Sequence, residues 1–346
     1  MSPARDSVAG VIEIDAGEAR RLRARAQLLG GSELGPSELV ARAGAMQGQD
    51  LGGVLRAIAL RAAPGTTREA VRGAFDRGEL VRGWPMRGTL FAIAPDDLAD
   101  VVAVTGPRMQ TSLRARRSNL GITDADFGRA KEIAVEALAP GPQPRAELEA
   151  RWRDAGLLGD QALSYHFVST LAIEGVLALG PFAGKDQLLV RLPASLAEPA
   201  VALARIARKF FAARGPATID DLAWWTKLPK SLLAPAVAAV DGLEEIRVDG
   251  RTMHVLDDGV GSGELPAVAL VPAFDEWILG YADRSLVASA AAMREVATVN
   301  GIFRPAVLVD GVVVGRWGKG VLELVEPVRA RQRKAIEAAV AAWPHG

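Results

Sequence analysis

The sequence contains no cysteine, three histidines and few aromatics, which make up 5% of its 346 residues. Without cysteine there are no disulfides, no thiolate metal sites and no thiol nucleophile. The histidines, His166, His254 and His345, are far apart and form no His-x-x-x-His or His-Glu-x-x-His spacing, so neither a metal site nor a cofactor is expected. Neither sign of charge is in excess, with 41 Lys and Arg against 41 Asp and Glu. A chain that holds nucleic acid by bulk charge is strongly basic, so any such surface here must be a local cluster of arginine. No apolar run is long enough to span a bilayer, and Met1-Ser2-Pro3-Ala4-Arg5-Asp6 opens no signal peptide, so the expectation is a cytoplasmic protein without a membrane partner. Apolar residues are plentiful at 49%, enough to build sizeable cores in two or three domains.

The organisation that stands out is a loose repeat. Gly35-Pro36-Ser37-Glu38-Leu39, Pro142-Gln143-Pro144-Arg145-Ala146 and Gly215-Pro216-Ala217-Thr218-Ile219 each punctuate the chain before a short apolar-periodic helix. Proline suits a helix start because its missing N–H has no partner there anyway. In the second copy a helix near Arg145–Ala155 ends at Gly156 and a second runs from about Gln161 to Glu174. Strands follow at Val176–Leu179 and Gln187–Arg191. In the third, helices over Asp220–Trp225 and Ser231–Val240 precede strands Leu243–Val248 and Thr252–Leu256, which flank the turn dipeptide Asp249-Gly250. In the first, a helix over Thr67–Arg77 precedes strands Glu79–Gly83 and Gly88–Ile93. Helix, turn, helix and hairpin is the winged-helix plan. The expected fold is therefore α+β: three tandem winged-helix units and a small C-terminal β-rich region. The boundaries are residues 1–95 for unit one, 96–140 for a helical connector, 141–195 for unit two, 196–257 for unit three and 264–346 for the C-terminal region.

Within the connector, Thr123-Asp124-Ala125-Asp126 reads as a capping box. Arg108, Arg114, Arg116 and Arg117 form a basic run, either a solvated helix face or a phosphate-contacting one. After the Gly-rich linker Asp257–Glu264, strands are expected at Ala267–Val271, Ala306–Asp310, Val312–Arg316 and Val321–Val325, then a helix over about Ala330–Ala342. Phe274, Trp277 and Tyr281 fall at roughly helical spacing and read as core. Asp275, Asp283 and Arg284 read as a structural polar network.

Chemistry is sought where polar groups stand oddly. In Ala45-Met46-Gln47-Gly48-Gln49-Asp50-Leu51 two amides flank a glycine. Residues two apart diverge on a helix but share a side of an extended segment, and Gly48 makes a departure from helix cheap. Two amides on one side of a bend can hold a water. On residues alone the pair also reads as two solvent-exposed glutamines at a helix start.

Three stretches resemble the AlkZ-type DNA glycosylases, a bacterial family with three tandem winged helices that excises or unhooks bulky alkylated purines. Val40-x6-Gln47-Gly48-Gln49-Asp50 resembles the family's Gln-x-Gln motif. Leu80–Phe91, containing Arg87-Gly88-Thr89-Leu90-Phe91, resembles its Arg-Gly-Thr-Leu-His strand, with Phe91 where histidine is usual. Leu270–Arg284 with Phe303-Arg304-Pro305 and Gly311–Trp317 resembles its C-terminal β region. The resemblance runs in order along nearly the whole chain. It implies a DNA glycosylase acting on double-stranded DNA that contains an alkylated purine, with Gln47 and Gln49 catalytic, and a role in self-resistance to a genotoxic natural product.

The chemistry agrees with that implication. Cleaving a purine–sugar bond passes through an oxocarbenium-like sugar. An N7-alkylguanine is already cationic and leaves without strong acid help, so what remains is to place a water and stabilise positive charge, which glutamine carbonyls can do. Asp50 reads first as a helix cap. No lysine stands near the motif in the sequence, which predicts a monofunctional enzyme. Arg87, Thr89, Arg304, Arg316, Trp317 and Lys319 are the expected DNA contacts, with an arginine and an aromatic on a hairpin probing a groove; Trp317 also reads as an ordinary core residue. Three units in one chain and no coiled-coil heptads predict a monomer. The competing readings are a non-catalytic winged-helix DNA-binding protein or transcriptional regulator, and a protein-interaction scaffold.

Overall fold

The computed structural model describes residues 11–158, 161–194, 197–261, 263–318 and 320–343. Strand β1 (Ile12–Ile14) leads into helix α1 (Ala16–Ala26), whose N-cap Asp15 accepts the Glu18 N–H at 2.7 Å. There follows an order that occurs three times: a leading helix, a short extended segment, two helices and a hairpin. The first copy is α2 (Pro36–Ala43), β2 (Met46–Gln47), α3 (Leu51–Arg61), α4 (Arg68–Asp76), β3 (Val81–Met86) and β4 (Thr89–Ile93). A long helix, α5 (Pro95–Asn119), leads to the second: α6 (Asp124–Leu138), α7 (Arg145–Asp154), α8 (Gln161–Ile173), β5 (Leu177–Ala183) and β6 (Asp186–Arg191). The third is α9 (Pro199–Arg214), α10 (Ile219–Thr226), α11 (Lys230–Ala238), β7 (Glu244–Val248) and β8 (Arg251–Val255).

The starts are written locally. Thr67, Thr123 and Thr218 each accept a backbone N–H from three residues on, and Thr123 and Thr218 complete capping boxes with Asp126 and Asp221. Asp249 and Gly250 have φ of 48° and 76°, the pair of positive values that a tight two-residue hairpin turn requires. In each copy the short extended segment pairs antiparallel with the last strand of the hairpin. The partners are Gln47 with Phe91, Gln143 with Leu189 and Ala217 with His254. That pairing closes the hairpin over the helices. It is one or two residues long, too short for any periodicity to announce it.

Two boundaries differ from the sequence reading. Strand β1 pairs in parallel with β7, Ile12 opposite Ile246, and α1 packs on α9. The chain's opening therefore packs on the third repeat as well as on the first, to which Gln27 is tied through Arg61. Helix α6 packs on α7, α8 and β6, so the second half of the 96–140 connector belongs with the second repeat. Both assignments depend on packing between distant segments. The first two hairpins also join edge to edge through Arg82 and Leu179, giving the strand order β2-β4-β3-β5-β6.

The C-terminal region comprises β9 (Val268–Val271), α12 (Glu276–Leu279), α13 (Ala290–Val296), β10 (Ala306–Val309), β11 (Val312–Gly318), β12 (Val321–Leu324) and α14 (Ala330–Ala342). Its strands form an antiparallel sheet in the order β12-β11-β10-β9, and α14 packs on β9 with Ile336 buried. One hydrophobic cluster ties the first repeat, the third repeat and this region together. Phe91, Phe210, Phe211, Trp225 and Tyr281 are its large members, each essentially sealed from solvent. Burial of each such side chain contributes about 1.5–3 kcal/mol or more. The cluster forms the floor on which the candidate site is built. Among the described residues no helix is long and apolar enough to cross a membrane.

Candidate active site

Gln47 ends β2, where it is paired with Phe91 and buried. Its backbone N–H donates to Glu276 Oε1 at 2.8 Å, and its side-chain amide meets Thr89 Oγ1 at 3.3 Å. The next residue keeps the ladder going: the Gly48 N–H donates to the Leu90 carbonyl at 2.7 Å. A Cβ on Gly48 would lie 3.0 Å from the Ala92 nitrogen and 3.1 Å from the Phe91 carbonyl carbon, so only glycine fits without displacing β4. The Leu90 N–H then donates to the Gln49 side-chain carbonyl at 3.2 Å. A side chain thus takes the place of the next main-chain acceptor and holds Gln49 against β4. The extended path brings Gln47 and Gln49 to one cleft, as the reading of a bend around Gly48 requires. Asp50 is the N-cap residue of α3 in extended conformation, but its carboxylate makes no cap hydrogen bond. Its charge acts on Arg82, whose pKa burial lowers to about 10 against the opposing pull of Asp50.

The cleft has a volume of about 470 Å³ and is open to solvent. Its wall combines Gln47, Gln49, Arg87 and Thr89 with Trp224 and Lys227 from the third repeat, and with Phe274, Leu279 and residues 300–303 from the C-terminal region. Among the described residues lining it there is no carboxylate and no histidine. Nor does any group of His, Asp or Glu suited to a metal ion come together among the described residues.

Arg87 sits in the turn between β3 and β4 with φ of 56°. Its guanidinium lies 5.2 Å from the Phe91 ring centroid and 5.5 Å from that of Trp224. Nη1 reaches the Leu279 carbonyl only at 3.5 Å, while Nε and Nη2 are buried without partners. Burial lowers the Arg87 pKa to about 10; Glu276 opposes that shift, and Arg214 and Arg284 add to it. A cation so under-satisfied is poised to take an anion. Six non-glycine residues among those described have positive φ, and three of them, Arg87, Lys227 and Phe274, line this one cleft. Strained backbone of this kind collects at functional sites because the surrounding packing must enforce it.

Glu276 holds the glutamine segment from behind. Its Oε2 accepts from Arg214 Nε at 3.0 Å and Nη2 at 2.9 Å, and Arg214 also donates to the carbonyls of Ala43 and Ala45. The neighbouring Asp275 takes both Arg61 Nη groups, at 2.7 and 2.9 Å. These two buried ion pairs dock α12 on the first repeat through Arg61 and on the third through Arg214, beside β2.

A solved structure, the Streptomyces sahachiroi DNA glycosylase AlkZ, shares this fold with a TM-score of 0.79 at 23% identity, over 95% of this chain and 96% of that one. No curated protein sequence matches. The family model described as DNA glycosylase AlkZ-like matches residues 40–344. The chain belongs to the AlkZ-like DNA glycosylase family.

The glycosylase departs from the sequence reading on the far side of the C-terminal sheet. Trp317 is buried, donates its indole N–H to the carbonyls of Val271 and Ala306, and packs edge-on to Trp343 with ring centroids 4.4 Å apart. It is a core residue and does not line the cleft. Arg316 is paired with Glu295 and Glu323, and Arg304 donates to the Glu295 carbonyl; neither lines the cleft. Lys319 lies outside the described residues. Of the expected aromatic core, Trp277 and Tyr281 are fully buried, but Phe274 faces the cleft. The expected network of Asp275, Asp283 and Arg284 is divided. Asp275 binds Arg61, Asp283 binds Arg251, and Arg284 donates to the Ile278 carbonyl with its guanidinium between the rings of Trp224 and Phe303. Trp224 and Lys227 were missed because their segment has no motif of its own, and Phe274 and Phe303 because nothing local in the stretches that carry the resemblance turns either ring toward the cleft. In the basic run, Arg108, Arg114 and Arg116 are exposed, whereas Arg117 is buried over Phe127.

Proposed function

We propose that this glycosylase hydrolyses the N-glycosidic bond of N7-alkylated, bulky purines in double-stranded DNA. One observation carries the reading: the cleft that holds Gln47 and Gln49 has no carboxylic acid or imidazole among its described lining residues. A neutral purine needs a proton to leave, and neither of the usual donors, a carboxylic acid or an imidazole, lines the described wall. An N7-alkylated purine carries its positive charge already and needs none. The site's task then reduces to water placement and stabilisation of a cationic sugar, and the Gln47 and Gln49 amides are suited to both. Positioning and base assistance of this kind are each worth roughly a hundredfold or more. A cleft of about 470 Å³ that opens to solvent leaves room for a base carrying a large substituent.

The repeated order of helix, short strand, helix, helix and hairpin supports reading the three repeats as winged-helix units that grip DNA as a monomer. Arg87, with two donor nitrogens buried and unpartnered, is the DNA-phosphate contact in this reading, and Thr89 orients Gln47. Bulky-adduct excision fits self-resistance to a DNA-alkylating natural product. The decisive experiment is incubation with duplexes carrying simple or bulky N7-alkylguanine, followed by assay of free modified base and abasic sites. Release of the modified base is expected. No release across several adduct types would overturn the reading.

A further inference from the structure

Lysine is scarce in this chain, seven of 41 basic residues. Lys131, Lys209 and Lys230 are paired with Glu174, Asp97 and Asp220. Lys227 has no carboxylate partner among the described residues. It lines the same cleft as Gln47 and Gln49, with its Nζ 4.0 Å from the Trp224 ring centroid. Its backbone is left-handed, φ 58°, at the C-cap of α10, a position where glycine is the usual residue. A bulky side chain in that conformation is held there by its surroundings, and here the surroundings are the cleft wall. Lys227 is exposed at the cleft surface, and partial desolvation, with Arg87 nearby, makes its ammonium give up its proton more readily than an ordinary lysine does. An arginine would grip a phosphate better and never loses its charge; lysine is the side chain that can act as an amine nucleophile.

We propose that Lys227 is the nucleophile of an abasic-site lyase step that follows base release in this cleft. The inference rests on the glycosylase reading above and departs from the expectation of a monofunctional enzyme. Loss of the base leaves a deoxyribose whose C1′ is in equilibrium with an open-chain aldehyde. The neutral Lys227 amine forms a C–N bond to C1′, and water leaves to give a protonated imine. The imine draws electrons from C2′. The C2′ proton passes to solvent, its bonding pair forms the C2′–C3′ double bond, and the C3′–O bond breaks with its pair leaving on the phosphate. Water then hydrolyses the imine and restores the amine. No oxidant or reductant is consumed.

The test uses the full chain and a duplex with a preformed abasic site, made by removing uracil with a uracil-specific glycosylase. It is therefore independent of base release by this protein. With sodium borohydride present, a covalent protein–DNA adduct is expected; without it, strand scission on the 3′ side of the abasic site. Lys227→Arg keeps the cation but cannot form the imine. It should lose both adduct and scission while still binding a duplex with a tetrahydrofuran abasic analogue. The proposal is overturned by absence of adduct with the native chain, whether or not the chain binds the analogue duplex. It is equally overturned by an adduct that persists in Lys227→Arg. Release of alkylpurine without lyase activity would sink this proposal alone. Lyase activity without alkylpurine release would sink the substrate reading alone.

Discussion

Glu276 and Gln47, 229 residues apart, are joined by a hydrogen bond of 2.8 Å from the glutamine's backbone N–H to the carboxylate's Oε1. The other carboxylate oxygen is held by Arg214, which also binds the carbonyls of Ala43 and Ala45. The main chain on both sides of Met46 is thus clamped by one buried ion pair. Glu276→Ala leaves the Arg214 guanidinium buried without its partner and is expected to cost about 3–5 kcal/mol, readable by urea unfolding. Glu276→Gln keeps an acceptor for the Gln47 N–H. It is expected to excise faster than Glu276→Ala at saturating DNA. Equal single-turnover rates in the two variants would remove Glu276 from the positioning of Gln47.

Gln47→Ala and Gln49→Ala are expected to slow excision by roughly ten- to a thousandfold, the scale of lost water placement or base assistance. Affinity for an unreactive duplex should change little, since neither amide is a charged contact. Variants that excise at the native rate would place the water elsewhere.

Arg87 carries a charge that burial has left without adequate partners. If that charge meets a phosphate, Arg87→Ala weakens DNA binding and lowers the slope of log affinity against log salt by about one. A titration of binding between low and moderate salt measures both. An unchanged slope would mean that Arg87 contacts no phosphate.

His166, buried beside Arg116 and Arg117, and half-buried His254 both have pKa values lowered from 6.5, chiefly by burial; Glu245 opposes the shift at His254. The folded chain therefore prefers neutral imidazoles, while the unfolded chain takes up protons near pH 6.5. The unfolded state binds more protons below that pH, so stability falls as pH drops through about 6.5 and continues to fall toward the folded pKa values. Thermal unfolding from about pH 7.5 to 5 should show a falling Tm, and His166→Gln should flatten the trend. A Tm that rises on acidification over that window would contradict the account.

Much of this was legible along the chain because its causes are local. Threonine caps, the Asp249-Gly250 turn and alternating apolar strands need only a few neighbours, and the four C-terminal strands fall where the pattern puts them. The Gln47-Gly48-Gln49 segment was legible for the same reason: a glycine between two amides permits an extended path that puts both on one side. What the sequence did not hold was the reason for the glycine, which is the approach of the β4 backbone to within 3.0 Å of where a Cβ would stand.

Sequence by itself determined the repeated elements, the pair of amides and the family. Tertiary structure alone decided what faces those amides. Trp317 lies on a strand where either face is open to a tryptophan, and only the packing of Trp343 and the carbonyls of Val271 and Ala306 turn it inward. Phe274 looked like core until its left-handed backbone turned it to the cleft, and Lys227, two repeats away from the glutamines in sequence, lines the same cleft. Caps, turns and periodicity act over a few residues, whereas a cleft is made where three distant segments pack together, so its far wall has no local signature to read.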